Sequence, residues 1–114
     1  MICKPDFSVS TKSAYQKFSF ENKKNYNFQK VLDSVNRGDI LGYSNSKFNV
    51  LEDVVSKEYT EIKEIEKVMY DLGCNAAMMT GSGSAVFGIF KDKSSAEKAC
   101  GSLKKYKCFL TNFI

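Results

Sequence analysis

The run Asn75-Ala76-Ala77-Met78-Met79-Thr80-Gly81-Ser82-Gly83-Ser84-Ala85-Val86-Phe87-Gly88-Ile89-Phe90 sets two short apolar segments on either side of a glycine-serine loop. Asn75–Met79 and Ala85–Phe90 are each too short for a helix and read as strands. Glycine at alternate positions lets the backbone take φ > 0 and lets N–H groups approach an anion closely, and the serine hydroxyls add donors. No Lys-Ser or Lys-Thr follows, so Thr80–Ser84 is not a Walker A loop. Position 86 is Val, which removes a GxGxxG fingerprint, and the loop leads into a strand, so no helix dipole backs it. The residues alone leave two readings open: a tight turn between strands, and a cradle for phosphate.

Upstream of this run lies the clearest helix, Glu61–Leu72. Ile62, Ile65, Met69 and Leu72 recur at three and four, Glu61 and Glu64 occupy the first turn, and Gly73 closes it. Asn49 followed by Glu52 has the spacing of a capping box and predicts a helix to about Lys57, with Leu51, Val54 and Val55 on its apolar side. Gly42–Phe48 reads as a loop. Tyr26–Asn36 is a helix, with Phe28, Val31, Leu32 and Val35 at helical spacing and Gly38 past its end. Phe20–Lys24 is a polar break. Ser8 and Ser10 are candidate caps for a helix from Thr11, with Ala14, Tyr15 and Phe18 on one side. Met1–Phe7 is a strand or lead-in, where Pro5 suits an edge or a strand end. Downstream, Ser94 and Glu97 form a second apparent capping box before a helix that aligns Ala96, Ala99, Cys100 and Leu103, and Cys108–Phe113 reads as a last strand. Strand, helices, two strands, helix, strand predicts an α+β two-layer sandwich of ferredoxin-like type, with about four mainly antiparallel strands covered by helices.

Composition narrows the function classes. The chain has 114 residues, a length expected of one domain that buries a core unaided. Its net charge of +4 is carried almost wholly by lysine, Arg37 being the one arginine, and acids are interspersed along Glu61–Lys67. That pattern reads as a solvated helix face and argues against a nucleic-acid surface, which relies on arginine forks. Lys104-Lys105-Tyr106-Lys107 reads as a helix end with cations favoured by the dipole. No apolar run approaches the about 20 residues of a membrane span, and Lys4, Pro5 and Asp6 interrupt any signal peptide, so a cytoplasmic location is expected. With no histidine and no CxxC among Cys3, Cys74, Cys100 and Cys108, neither a zinc site nor a Ser/His or Cys/His pairing is expected, and the cysteines read as free buried thiols. No metal ligands are expected in this chain.

The stretch Asn75–Phe90, with Tyr70-Asp71-Leu72-Gly73 before it and Asn49-Val50-Leu51-Glu52-Asp53 further upstream, resembles the C-terminal part of the GHMP kinases. Asn75–Phe90 is similar to their third signature motif, whose glycine-rich turn lies beside the main phosphate loop. Lys4-Pro5-Asp6-Phe7-Ser8-Val9-Ser10-Thr11-Lys12-Ser13-Ala14-Tyr15 resembles the opening of that domain in the branch acting on a cytidine-diphosphate-linked methylerythritol, in bacterial isoprenoid precursor synthesis. The likeness implies that residues 1–114 are a substrate-binding C-terminal domain. The ATP-binding N-terminal domain, with the catalytic lysine, the aspartate and most of the ATP and Mg contacts, is absent from these residues. No catalytic residue is expected here, and the chain alone is expected to be inactive.

The resemblance further implies that Tyr15 stacks on a cytosine, that Thr11 and Lys12 flank the substrate, and that Thr80, Gly81, Ser82, Gly83 and Ser84 lie close to phosphate. The partners implied are a cytidine-containing small molecule and the chain's own N-terminal domain, with no nucleic acid and no membrane. Without the resemblance, Tyr15 reads as an aromatic of a helix core face. Two alternatives stay open: the C-terminal domain of another GHMP kinase, of homoserine or mevalonate type, and a stand-alone ligand-binding α+β domain.

Overall fold

A computed structural model describes residues 1–17 and 27–112. In chain order its elements are β1 (Ile2–Lys4), α1 (Thr11–Lys17), α2 (Phe28–Asn36), α3 (Ile40–Ser46), α4 (Glu52–Glu58), α5 (Glu61–Asp71), β2 (Ala76–Met79), β3 (Val86–Ile89), α6 (Lys93–Ser102) and β4 (Lys107–Phe109). The four strands form one sheet in the order β2-β3-β1-β4, and every neighbouring pair is antiparallel. The α+β sandwich read from the sequence is therefore the fold. Pro5 lies just past the end of β1, an interior strand that needs each of its N–H groups.

Register sorts the side chains of the sheet into two rows. Met79, Val86, Cys3 and Cys108 face one another across all four strands, and the first three have no exposed area. On the same side Gly88 lets α5 come close: a Cβ there would stand 2.7 Å from Met69 Sδ. Ile62, Ile65 and Met69, the periodic stripe of α5, complete this core with no exposed area of their own. The alternate row runs Met78, Phe87, Ile2, Phe109, and it is half-buried or exposed throughout.

Several local expectations are corrected. Residues 40–46 are helical, because Asp39 accepts the N–H of Gly42 as an N-cap and Ser46 Oγ returns to Gly42 O. The Asn49–Glu52 spacing is no capping box: Asn49 Oδ1 accepts from Leu51 N, and the Glu52 carboxylate leaves the helix for Met79 N. At α6 the cap is Asp92, which accepts from Ser94 N and from Ser95 Oγ, so the Ser94–Glu97 reading fails. Lys104, Lys105 and Lys107 follow the end of α6, whose last turn has no basic residue. Glu66 departs from the solvated face of α5 and is buried.

α2 starts at Phe28 under an Asn27 cap, and its apolar residues Phe28, Leu32 and Val35 are exposed among the described residues. Phe18, the break at Phe20–Lys24, the Tyr26 start of the second helix and the Phe113 end of the last strand lie outside the described residues. β2 is an edge strand, and Tyr70 Oη meets its outward groups, accepting from Ala77 N at 3.1 Å. No helix among the described residues is long and apolar enough to cross a membrane.

Candidate functional site

The chain between β1 and α1 is tied down at several points before the site begins. Lys4 Nζ donates to the carbonyls of Pro5 and Phe7 at 2.9 and 2.7 Å, and Ser84 Oγ donates to Phe7 O at 2.7 Å. The Phe7 ring stacks on Tyr59, centroids 4.4 Å apart, at the junction of α4 and α5. Ser10 Oγ then accepts from Ser13 N, Ala14 is buried, and Lys17 pairs with Glu58 of α4. Of the two candidate serine caps, Ser10 is the one used. α1 is held beside the glycine-serine loop by these contacts.

Thr80–Ser84 closes a hairpin. Thr80 N donates to Ala85 O, Gly83 N donates to Thr80 O, and Gly81 and Gly83 take φ of 51° and 95°. Both lie in the left-handed region, which glycine enters without cost. The loop divides by role. Thr80 and Gly81 are exposed, and a Cβ on Gly81 would meet nothing within 4 Å. Ser84 is buried on Phe7 O, and Gly83 lies against Met79, with Val55 and Val9 just beyond.

An open groove of 740 Å³ joins these parts, with Tyr15 and Thr11 at one side and Thr80, Gly81 and Ser82 at another. Thr11 Oγ1 and Ser82 Oγ are 3.1 Å apart and hydrogen-bonded. Tyr15 is 61% exposed, so its ring is no part of the core and is free to take a flat ligand. The groove does not include Lys12, which is exposed on α1, nor Gly83 and Ser84. Sequence reasoning missed Phe48, Val50, Met78 and Phe87 in its apolar lining. Met78 and Phe87 were legible only as strand residues, and the register alone turns both to the open side of the sheet.

Asn49 and Glu52 back the loop from outside the sheet. Asn49 Nδ2 donates to Met79 O and to Gly81 O, each at 2.8 Å, and Glu52 Oε1 accepts Met79 N at 2.7 Å. Lys63 stands 3.0 Å from Glu52 and 3.4 Å from Glu66. Burial, then its hydrogen bond and repulsion with Glu52, push the Glu66 carboxyl up to about 8. Burial also pushes Glu52 upward, but hydrogen bonds from Glu66, Met79 N–H and Lys63 bring it below the usual carboxylate range. Of the two carboxyls Glu66 is the one more readily protonated. Among the described residues no three His, Cys, Asp or Glu side chains converge on a cation position.

A family model described as "GHMP kinases C terminal" matches residues 26–107, more than half of the chain. A 4-diphosphocytidyl-2-C-methyl-D-erythritol kinase of Clostridioides difficile (strain 630) is 41% identical over 109 residues, which cover 94% of this chain and 37% of that protein. A crystal structure of 4-(cytidine 5'-diphospho)-2C-methyl-D-erythritol kinase superposes with a TM-score of 0.72 at 26% identity, covering 92% of this chain and 38% of that one. A homoserine kinase from Cytophaga hutchinsonii superposes with a TM-score of 0.70 at 19% identity, covering 91% and 35%, and shares the fold. The chain spans little more than a third of the length of the curated relatives it matches.

Proposed function

Since the chain belongs to the GHMP kinase C-terminal family, we propose that it forms the substrate-facing wall of a kinase for 4-diphosphocytidyl-2-C-methyl-D-erythritol. The parent enzyme transfers phosphate from ATP to the 2-hydroxyl of that molecule, a step of the non-mevalonate route to isoprenoids. The observation that carries this reading is the groove that joins the Tyr15 ring to the Thr80–Ser82 loop. Tyr15 stacks on the cytosine, the apolar floor of Phe48, Val50, Met78 and Phe87 excludes water beneath it, and Thr11 and Ser82 orient polar groups of the substrate. Lys12, exposed on α1 next to Thr11, flanks the substrate in this reading. The similarity to the Clostridioides difficile kinase over 94% of the chain supports the choice of substrate.

ATP supplies the phosphoryl group and Mg²⁺ offsets its charge, so that catalysis is mainly positioning and neutralisation. The glycine-serine loop suits the edge of a phosphate group, because Gly81 leaves open space where any other residue places a Cβ. Among the described residues no acidic cluster suits Mg²⁺, whose ligands belong in this reading to the ATP-binding domain, together with the catalytic lysine and aspartate. The open row Met78, Phe87, Ile2 and Phe109 supports the docking of such a domain, since a partner buries apolar surface that the chain leaves uncovered. A cytoplasmic setting without nucleic-acid or membrane partners belongs to the same proposal.

Cytidine 5'-diphosphate titrated into the chain should shift the ring resonances of Tyr15. Tyr15→Ala should weaken that binding about five- to 150-fold, the worth of one base stack of about 1–3 kcal/mol, and leave ATP-induced shifts in the loop unchanged. Equal affinity in mutant and wild type removes the stacking role. Ring shifts produced by homoserine or mevalonate, with none from the cytidine nucleotide, would overturn the substrate assignment.

A further inference from the structure

Met79 is the last residue of the edge strand β2, and its N–H and C=O point away from β3. Met79 has no exposed area, so both groups must find partners within the protein, and Asn49 and Glu52 supply them; the further bond from Asn49 to the exposed Gly81 O goes beyond that need. Asn49 spends both Nδ2 hydrogens on carbonyls either side of Thr80, while its Oδ1 holds Leu51 N at 3.0 Å. Each polar atom of the amide is thereby committed, and the loop's entry is fixed relative to α4. Glu52 adds a carboxylate bond to the Met79 N–H, on the strand side of both carbonyls, and charge-assisted bonds of this kind are about twice as strong as neutral ones.

We propose that Asn49 and Glu52 are positioning residues for the anion taken by the Thr80–Ser84 loop, and that Glu66, buried beside Glu52 on the same Lys63 ammonium, sets how firmly they grip it. The identity of that anion rests on the kinase reading; the grip itself does not. With the proton in place Glu66 donates to Glu52, which keeps its charge for Met79 N–H and for Lys63. Without it, two carboxylates share a single ammonium, and repulsion draws Glu52 off the strand end. The titratable groups that face the pair are Lys63 on α5 and the Cys74 thiol that follows α5, with Lys47 beyond Cys74. Burial holds that thiol up at about 11, so it stays neutral across the range that matters, and β2 itself offers no titratable side chain.

The test is amide-resolved NMR of the whole chain with tripolyphosphate as the probe. Asn49→Asp keeps an acceptor for Leu51 N but opposes two carbonyls with an oxygen in place of a donor. It should displace the Gly81 and Ser82 resonances and weaken the probe tenfold or more. In the wild type the Met79 amide should titrate with a midpoint near 8, and Glu66→Gln, which retains a neutral donor, should keep probe binding and lose that midpoint. Loop resonances in Asn49→Asp that match wild type overturn the proposal. So does a Met79 amide that fails to titrate or titrates alike in Glu66→Gln, and so does a wild-type loop that the probe leaves unshifted. Should Asn49→Asp not fold, the Glu66→Gln comparison decides alone. Cytidine diphosphate binding at Tyr15 with these outcomes absent sinks the clamp and spares the kinase reading; the reverse result does the opposite.

Discussion

Met78 and Met79 are neighbours in sequence, identical in chemistry and opposite in fate. Met79 belongs to the row sealed by α5, with no exposed area, and Met78 belongs to the row that is half-buried or exposed throughout. One face of the sheet carries the stability of the domain. The other is left partly open, and it floors the candidate groove with Met78 and Phe87. A strand alternates its side chains, so a single pair of residues serves both ends at no cost in length.

The sharpest way to break this comparison is to truncate the sealed methionine. Met79→Ala leaves a cavity against Val86 and Gly83 and should cost about 2–5 kcal/mol in urea denaturation. A loss below about 1 kcal/mol would mean that the sealed row is not the core.

The next effect is a slope with pH. Glu66 holds its proton in the fold up to about 8, whereas in the unfolded chain it releases it near 4.5. The native state therefore binds more protons across that window, and stability falls as pH rises through it. Glu52, held below its ordinary range, contributes stability that is lost only as pH drops beneath that range. Melting temperatures measured from pH 5 to 8 should decline in the wild type and flatten in Glu66→Gln. A slope that survives the substitution would assign it elsewhere.

The smallest effect belongs to the open row. Phe109, 58% exposed on β4, should change the stability of the chain by no more than about 0.5 kcal/mol when replaced by serine. The same substitution should weaken association with an ATP-binding domain measurably. A large loss of stability in the chain alone would show that the row is already packed.

Much of this was legible in the sequence, and the gaps have physical causes. The stripe Ile62, Ile65, Met69 announces α5 because one helix face carries it, and the change to short apolar runs at Asn75 announces the hairpin. α3 was hidden, since Gly42, Ser44, Asn45 and Ser46 disfavour a helix that Asp39 nevertheless caps. Asn49 and Glu52 were visible as a pair at spacing three, but spacing cannot tell a local hydrogen bond from one made to a strand 27 positions further on. Glu66 was lost in a run of charges for a related reason: its burial depends on which face of α5 meets α4. At the site, Thr11, Tyr15 and the outer half of the loop share the groove, while Lys12, Gly83 and Ser84 do not line it. Ser84 could not be told from Ser82 by type, only by the turn that sends one inward.

Tyr70 has a consequence for how the molecule behaves in company. A bare edge strand is a template on which other chains polymerise, and proteins that stay dispersed must spoil it. With the Tyr70 hydroxyl on Ala77, and Asn49 and Glu52 on Met79, the outer rim of β2 has no run of free peptide groups to offer an incoming strand. At the opposite rim β4 is three residues long and begins with Lys107. The domain can therefore leave an oily sheet face open to a chosen partner without its margins recruiting copies of itself into fibrils.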